Sequence, residues 1–290
     1  MTNGKFKTIL GKVFVYLGLI VYAIWILAPM LIILFTSFKT ISEAREVEFH
    51  LFPKDKWVIE GYKEIVKWNI IDVTGDGIPT LFYGLFNTLL YVIPPTIIGL
   101  FVSALAAFAF AKLNYKGKNG LFGILLMTML IPGTIMTAPT YIIYDLLGWT
   151  NSPLPLMIPG MFGAAACVFF MKQFYSGIPT DLIEAAKLDG LGYFSIFWRI
   201  MVPLSVPALF AQGILGFIGG YNDYFGPLIY LIDNELITLQ LAMRTYSGAY
   251  WNRIPAVMAG AVIAMIPTII IYLVAQKYFV EGIATSGMKL

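Results

Sequence analysis

Pro179–Pro207 reads PTDLIEAAKLDGLGYFSIFWRIMVPLSVP, a polar-to-amphipathic stretch with apolar segments on both sides. Asp181 is followed three residues later by Glu184, the spacing of a capping box, and it puts both carboxylates at the positive end of a short helix. Glu184, Ala185, Ala186, Lys187 and Leu188 are good helix formers, and Gly190 stands where a left-handed residue would end them. A second amphipathic turn, Phe194 to Arg199, precedes Pro203 and Pro207. The pattern predicts a small helix kept at a membrane surface to touch something. Ala185 and Ala186 permit close backbone approach, and Leu188 and Phe194 offer apolar contact.

The rest of the chain explains why a membrane is involved. Of its 290 residues 59% are hydrophobic and 12% charged, which excludes an ordinary soluble globule. The apolar residues come in blocks, approximately Val13–Phe35, Leu85–Ala111, Leu121–Tyr144, Leu154–Phe174, Leu204–Asn222 and Pro255–Ala275. A hydrocarbon layer of about 30 Å takes roughly 20 helical residues, so each block suffices. The blocks lack the alternation of barrel strands, leaving helices as the spanning structure. An all-α membrane protein with six transmembrane helices is therefore expected. Lys5, Lys7 and Lys12 precede the first span, whose length marks it as an uncleaved anchor rather than a signal peptide.

Charge sets the orientation. One side collects residues 1–12, the loop with Lys112, Lys116 and Lys118, the loop at 175–203 and the tail at 276–290. Counting Lys172, at the inner end of the fourth block, it carries 11 Lys+Arg against 4 Asp+Glu, and the opposite side carries 8 against 12. The short lysine-only loop marks the first side as cytoplasmic, with both termini inside. Residues 13–290 then form the transmembrane domain, with an external loop at 37–80. Within that loop Asp72, Thr74, Asp76 and their neighbouring glycines lack the terminal Glu of a calcium loop, and they read as a plain turn. A second external stretch, Asp223–Arg253, carries Arg244, Tyr246, Tyr250 and Trp251. It reads equally as an aromatic belt or as a surface that meets a delivery protein or a carbohydrate.

Glu184-Ala185-Ala186, Gly190 six residues after the Glu, Ile200 and Pro203 resemble the EAA loop of permeases from binding-protein-dependent ABC importers. Val202 replaces the usual leucine before that proline. Further resemblance lies in Ser37-Phe38-Lys39, Asn87-Thr88, Ala109-Phe110-Ala111-Lys112, Ile131-Pro132, Asn222-Asp223 and the tail Gln276 to Gly282. Tyr221 stands where a tryptophan usually precedes Asn-Asp. These are similar to the second permease of maltose-type and glycerol-phosphate-type importers, and they cover nearly the whole chain. The resemblance implies a type I ABC importer permease in the cell membrane, with a cytoplasmic coupling helix. It implies as partners a sister permease, two ATPase subunits, an extracytoplasmic binding protein and a carbohydrate substrate, in a lipid surround and with no nucleic acid. The residues it assigns to ATPase coupling are Glu184, Ala185, Ala186, Leu188, Asp189 and Gly190.

No Gly-x-x-x-x-Gly-Lys-Ser/Thr occurs in the sequence, so ATP and magnesium are expected on the partner subunits. With one His (His50) and one Cys (Cys167), neither a His/Cys metal cage nor a disulfide is expected. Nor is intrinsic catalysis. The rival function is a secondary transporter or channel, which usually needs ionisable groups at mid-membrane, whereas Asp145 and Asp223 fall near outer span ends. Prolines inside the expected spans, among them Pro94, Pro95, Pro132, Pro159 and Pro267, predict kinks. A translocation pathway lined by Asn87, Thr88, Thr128, Thr134, Gln212 and Asn222 is the candidate route, against the commoner fate of bonding to their own helices.

Overall fold

The computed structural model describes residues 2–54, 56–70 and 78–287, with side chains from 11 to 276 within those ranges. The described residues contain helices, turns and bends but no strand. In chain order the α-helices are α1 Thr2–Thr36, α2 Glu60–Lys67, α3 Thr80–Lys112, α4 Lys118–Thr128, α5 Thr137–Leu146, α6 Leu154–Met161 and α7 Ala165–Ser176. There follow α8 Asp181–Leu188, α9 Tyr193–Ile196, α10 Val202–Leu204, α11 Val206–Tyr221, α12 Phe225–Tyr230, α13 Leu239–Ala249 and α14 Ile254–Gly287. The turn at 72–77 lies outside the described residues.

Four of the described helices are long and apolar enough to cross a membrane: Gly11–Thr36, Thr80–Lys112, Leu154–Ser176 and Ile254–Gln276. A fifth is obtained if Tyr193–Leu204 and Val206–Tyr221, bent by 82° at Ser205, count as one. The bend has a local cause. Pro207 has no N–H, so the ladder bond to the Pro203 carbonyl cannot form, and Ser205 Oγ instead donates 2.8 Å to the Met201 carbonyl.

The third expected span, Leu121–Tyr144, is not one helix. Between α4 and α5 the chain runs through turns from Met129 to Met136. Leu130 and Ile135 there donate to carbonyls three residues back, at 3.1 Å each. Pro132 is the reason: it disfavours helix at Ile131 and removes a donor. The fourth span also breaks, where Gly163 takes φ +89° and Ala164 is extended. Ser103 Oγ on α3 accepts the orphaned Ala164 N–H at 3.0 Å, which fixes the break.

Contacts divide the chain into two units, Met1–Leu81 with Met243–Ile266 and Phe82–Ala242 with Pro267–Leu290. In the first unit, α2 packs on the start of α14. Tyr246 of α13 donates to Glu64 Oε1 at 3.2 Å, and Arg253 Nε stands 3.5 Å from the same oxygen. Burial, then the Glu64 charge, pushes the Tyr246 hydroxyl well above its usual range, so it remains a donor at any working pH. Ser37 Oγ meets the Tyr62 hydroxyl at 2.8 Å, and Lys39 donates to the His50 carbonyl. The 18-residue window that qualifies α1 as a span has none of its residues buried. An apolar helix exposed all round is covered by lipid or by another chain.

In the second unit the core gathers Ala104, Ala107 and Phe108 of α3, Val168, Met171 and Tyr175 of α7, and Ile183, Ala186, Ile196, Phe197 and Met201 of the 179–207 stretch. The surface loop is thus built on the same core as two spans.

Candidate coupling loop and transmembrane cavity

Helix α8 is short, and most of its stability comes from packing rather than propensity. Ile183 and Ala186, three apart, face inward and are 2% and 4% exposed. The expected capping box is not formed. Thr180, itself helical, is the cap residue and makes no side-chain cap bond, so Asp181 occupies the first helical position and Glu184 the fourth. Both carboxylates still lie in the first turn, where the helix dipole favours them.

The C-terminus follows the expectation. Gly190 has φ +82°. Its N–H donates 2.9 Å to the Lys187 carbonyl, and the Leu191 N–H donates 3.0 Å to the Ala186 carbonyl. These two bonds are the Schellman pattern. A Cβ at Gly190 would meet no atom within 4 Å, so Gly190→Ala costs only its left-handed backbone, roughly 1–2 kcal/mol. We expect that variant to fray the last turn of α8 and leave the spans intact. Near-wild-type thermal unfolding of the purified subunit together with faster amide exchange at 186–190 would verify this.

The other face of α8 is largely exposed. Leu188 is 90% exposed and Leu182 44%, while Tyr193, Phe194 and Trp198 just beyond are 48%, 60% and 47% exposed. Asp181, Glu184, Lys187 and Asp189 surround them, also exposed. Lys187 Nζ donates to the Tyr193 hydroxyl at 2.9 Å and lies 4.4 Å from its ring centroid. Trp198 stacks on Phe101 of α3 at 5.2 Å, and Phe197 packs edge-on against the same ring. Lys112, ending α3, donates to the Ile178 carbonyl just before the loop. Ala185 is exposed as expected; Ala186 is not, and it seats the helix rather than presenting it.

The six pathway candidates are scattered. Asn87 Nδ2 donates to the carbonyls of Glu235 and Ile237 at 2.8 and 2.9 Å. Thr88 Oγ1 donates to the Gly84 carbonyl at 2.8 Å and accepts the Leu239 N–H at 2.9 Å. Both residues therefore clamp the lead-in to α13 against α3. Asn87→Ala is expected to lower the stability of the solubilised subunit by about 2–3 kcal/mol, since two carbonyls lose their donor. A drop in melting temperature relative to wild type measures it. Thr128 bonds the Leu125 carbonyl at 2.7 Å and Asn222 the Ile218 carbonyl at 2.9 Å, each on its own helix. Thr134 is exposed in the turn between α4 and α5. Of the six, only Thr88 and Gln212 line the cavity of about 260 Å³ between α3, α6, α7, α11 and α12. Asp223 and Thr238, absent from the expected set, line it as well. Asp223 was visible in the Asn-Asp pair, whereas Thr238 had no sequence signal.

A polar loop is thus built onto two spans, with its apolar tip bare. Residues 99–285 match the family described as binding-protein-dependent transport system inner membrane component. The chain belongs to that family.

Members of the family similar to this chain include the arabinooligosaccharides transport system permease protein AraQ of Bacillus subtilis. It is 34% identical over 204 residues, covering 70% of this chain and 72% of AraQ. The lactose transport system permease protein LacG of Rhizobium radiobacter is 29% identical over 72% of this chain and 75% of its own. Escherichia coli YcjP, an inner membrane ABC transporter permease protein, is 26% identical over 98% of both. In fold, the chain resembles a subunit of a bacterial ABC transporter that imports the acidic polysaccharide alginate, with TM-score 0.79 and 24% identity over 94% of this chain and 97% of that one. The family match spans α8, the whole core of the second unit and the cavity lining from Gly99 onward. It makes this chain a permease subunit of a binding-protein-dependent importer.

Proposed function

We propose that this permease carries a carbohydrate inward, and that α8 is the lever through which ATP hydrolysis in partner subunits drives the change of access. The observation that carries the reading is the bare apolar tip, Leu188, on a helix whose inner face is fixed to α3 and α7. A leucine left 90% exposed beside a surface helix adds nothing to the fold; a groove on a partner would bury it. Force applied there passes through Ile183, Ala186 and Phe197 to the spans, which rock about a central path.

The partners in this reading are a sister permease, two ATPase subunits that bind ATP and magnesium, and an extracytoplasmic binding protein. The naked flank of α1 supports a sister chain or lipid beside it. Support for a carbohydrate comes from the relatives, whose names specify arabinooligosaccharides and lactose. The test is uptake. Vesicles holding the full importer should accumulate a radiolabelled sugar only with ATP on the ATPase side, and sugar accumulation driven by an ion gradient without ATP would overturn the proposal.

The lysines at 112, 116 and 118 support a cytoplasmic position for the α8 side. In a Cys167→Ser background, Glu46→Cys is expected to react with a membrane-impermeant maleimide in intact cells and Lys116→Cys only after lysis. The reverse pattern would invert the orientation.

A further inference from the structure

The last turn of α1 is flanked by a loop that keeps aromatic side chains on the surface. The rings of Phe52 and Trp57 lie 4.6 and 5.9 Å from that of Phe35, and Trp57 lies 5.5 Å from Phe38. Phe49, Phe52 and Trp57 are each more than half exposed. Three bonds tie this loop back and hold the rings there. The Val58 N–H donates 2.9 Å to the Phe38 carbonyl, the Lys54 N–H donates 2.6 Å to Glu43 Oε1, and Lys39 donates to the His50 carbonyl. Beside Trp57, a pocket of about 250 Å³ is lined by Ser42, Lys56, Val58, Glu60 and Glu64, among others. Lys56 and Glu60 are both exposed, so opposite charges meet the same opening.

We propose that this pocket holds the head group of an aminophospholipid, phosphatidylethanolamine being the type, with its acyl chains running past Trp57 and Phe52 along α1. Depth is the first argument. Phe35 lies in the final turn of α1, a helix apolar and exposed all round, so rings stacked on Phe35 sit where hydrocarbon gives way to head groups. Tryptophan is favoured at that level, with an apolar body and one N–H donor. Charge is the second argument. Lys56 supplies a point charge for a phosphate, and the Ser42 hydroxyl a donor. Glu60 accepts from the ammonium group. Glu64 adds negative charge behind it, although its Oε1 already meets Tyr246 and Arg253.

The competing occupants fit less well. An anionic lipid would meet Lys56 but be repelled by Glu60 and Glu64, because Lys39 is buried on the His50 carbonyl and Lys54 is paired with Glu46 at 3.0 Å. A soluble zwitterion would answer the charges and leave the aromatic rings in water. A partner protein would bury a mixed pair of charges, a type that interface centres are poor in. Small-ligand sites run from roughly 300 Å³ upward, so about 250 Å³ suits a head group whose chains lie outside the pocket. The site is independent of the solute and of α8, and it fixes the depth and tilt of α1 through interfacial anchors.

The test places the assembled importer in nanodiscs of equal parts phosphatidylethanolamine and phosphatidylglycerol. A trace of one lipid or the other carries a diazirine near the start of an acyl chain, and adducts are mapped after illumination. In the wild type, phosphatidylethanolamine is expected to label residues 46–60 severalfold more than phosphatidylglycerol does. Lys56→Gln and Glu60→Gln, both surface changes, are each expected to reduce that labelling to the phosphatidylglycerol level and to leave labelling within α1 unchanged. Lys56→Arg should keep the preference. Equal labelling by the two lipids in the wild type would make this bulk bilayer contact and overturn the site. So would a preference that survives both glutamine variants. Lipid adducts on α1 with none at 46–60 would assign the aromatic face to another chain and overturn the proposal. Displacement of the labelling by excess glycerophosphoethanolamine would show that a soluble zwitterion suffices, and would overturn the lipid as occupant.

Discussion

Replacing Leu188 by Asp is expected to reduce uptake by a hundredfold or more while the subunit still reaches the membrane at its normal level. Leu188 is 90% exposed and touches no core residue, so the fold of this chain loses almost nothing. Surface changes of that kind usually stay within about 0.5 kcal/mol. If a partner groove receives the side chain, the loss is different in scale. Burial of a leucine contributes about 1.5–3 kcal/mol, a factor of roughly 10–150 in affinity. Placing an unpaired carboxylate in the same groove costs more again. Measuring uptake, membrane content and the amount of ATPase co-purified with the subunit separates the two effects. Wild-type uptake and wild-type ATPase retention in Leu188→Asp would remove α8 from the coupling path.

The second large effect is expected at Gly99, and it acts through the fold. A Cβ at Gly99 would lie 2.1 Å from the Gly160 carbonyl oxygen and 3.3 Å from its carbonyl carbon. Both atoms are backbone, so no side chain can swing aside, and α3 and α6 must separate. Small residues at such crossings let membrane helices approach closely. The separation would also disturb the Ser103–Ala164 bond that holds the α6–α7 break. Gly99→Val is therefore expected to destabilise the subunit by about 4 kcal/mol or more, in the range reserved for severe backbone or packing conflicts. Little folded subunit should survive detergent extraction and size-exclusion chromatography. Gly120→Val, where a Cβ meets nothing within 4 Å, should behave as wild type. A monodisperse Gly99→Val subunit at normal yield would contradict the packing described.

Sequence was informative where physics is local. The end of α8 was legible in Asp189-Gly190, because glycine alone reaches φ +82° without strain. The spans were legible wherever apolar residues run unbroken, as in α1, α3 and α14. Local rules failed in three places. The capping box shifted by one residue because Thr180 already adopts helical angles, which moves Glu184 beyond reach of the cap. The span at Leu121–Tyr144 passed a hydropathy test yet broke at Pro132, since hydropathy counts apolar atoms and is blind to a missing N–H. Ala186 looked like a contact for a partner, and only the tertiary placement of Ile183 one turn earlier shows that it faces the core.

The pathway residues were the hardest to read, for a related reason. A threonine or asparagine in an apolar segment has the same sequence signature whether it faces a cavity, its own backbone or another loop. Asn87 proved to be a clamp on the carbonyls of Glu235 and Ile237, some 150 residues away in sequence. Gln212 lines the cavity. Nothing local distinguishes them.

The claim that α8 couples this permease to an ATPase is tested most directly at Leu188 itself. A photoreactive benzoylphenylalanine placed there, in the assembled importer in native membranes, reports what the side chain touches. The coupling account predicts a covalent adduct with the mass of this subunit plus one ATPase subunit, and its yield should change when ATP is added. The same probe at Trp251, in the stretch that the charge pattern assigns to the outside, should give no ATPase adduct. If the Leu188 probe gives only lipid or sister-permease adducts, with or without ATP, the lever assigned to α8 is contradicted.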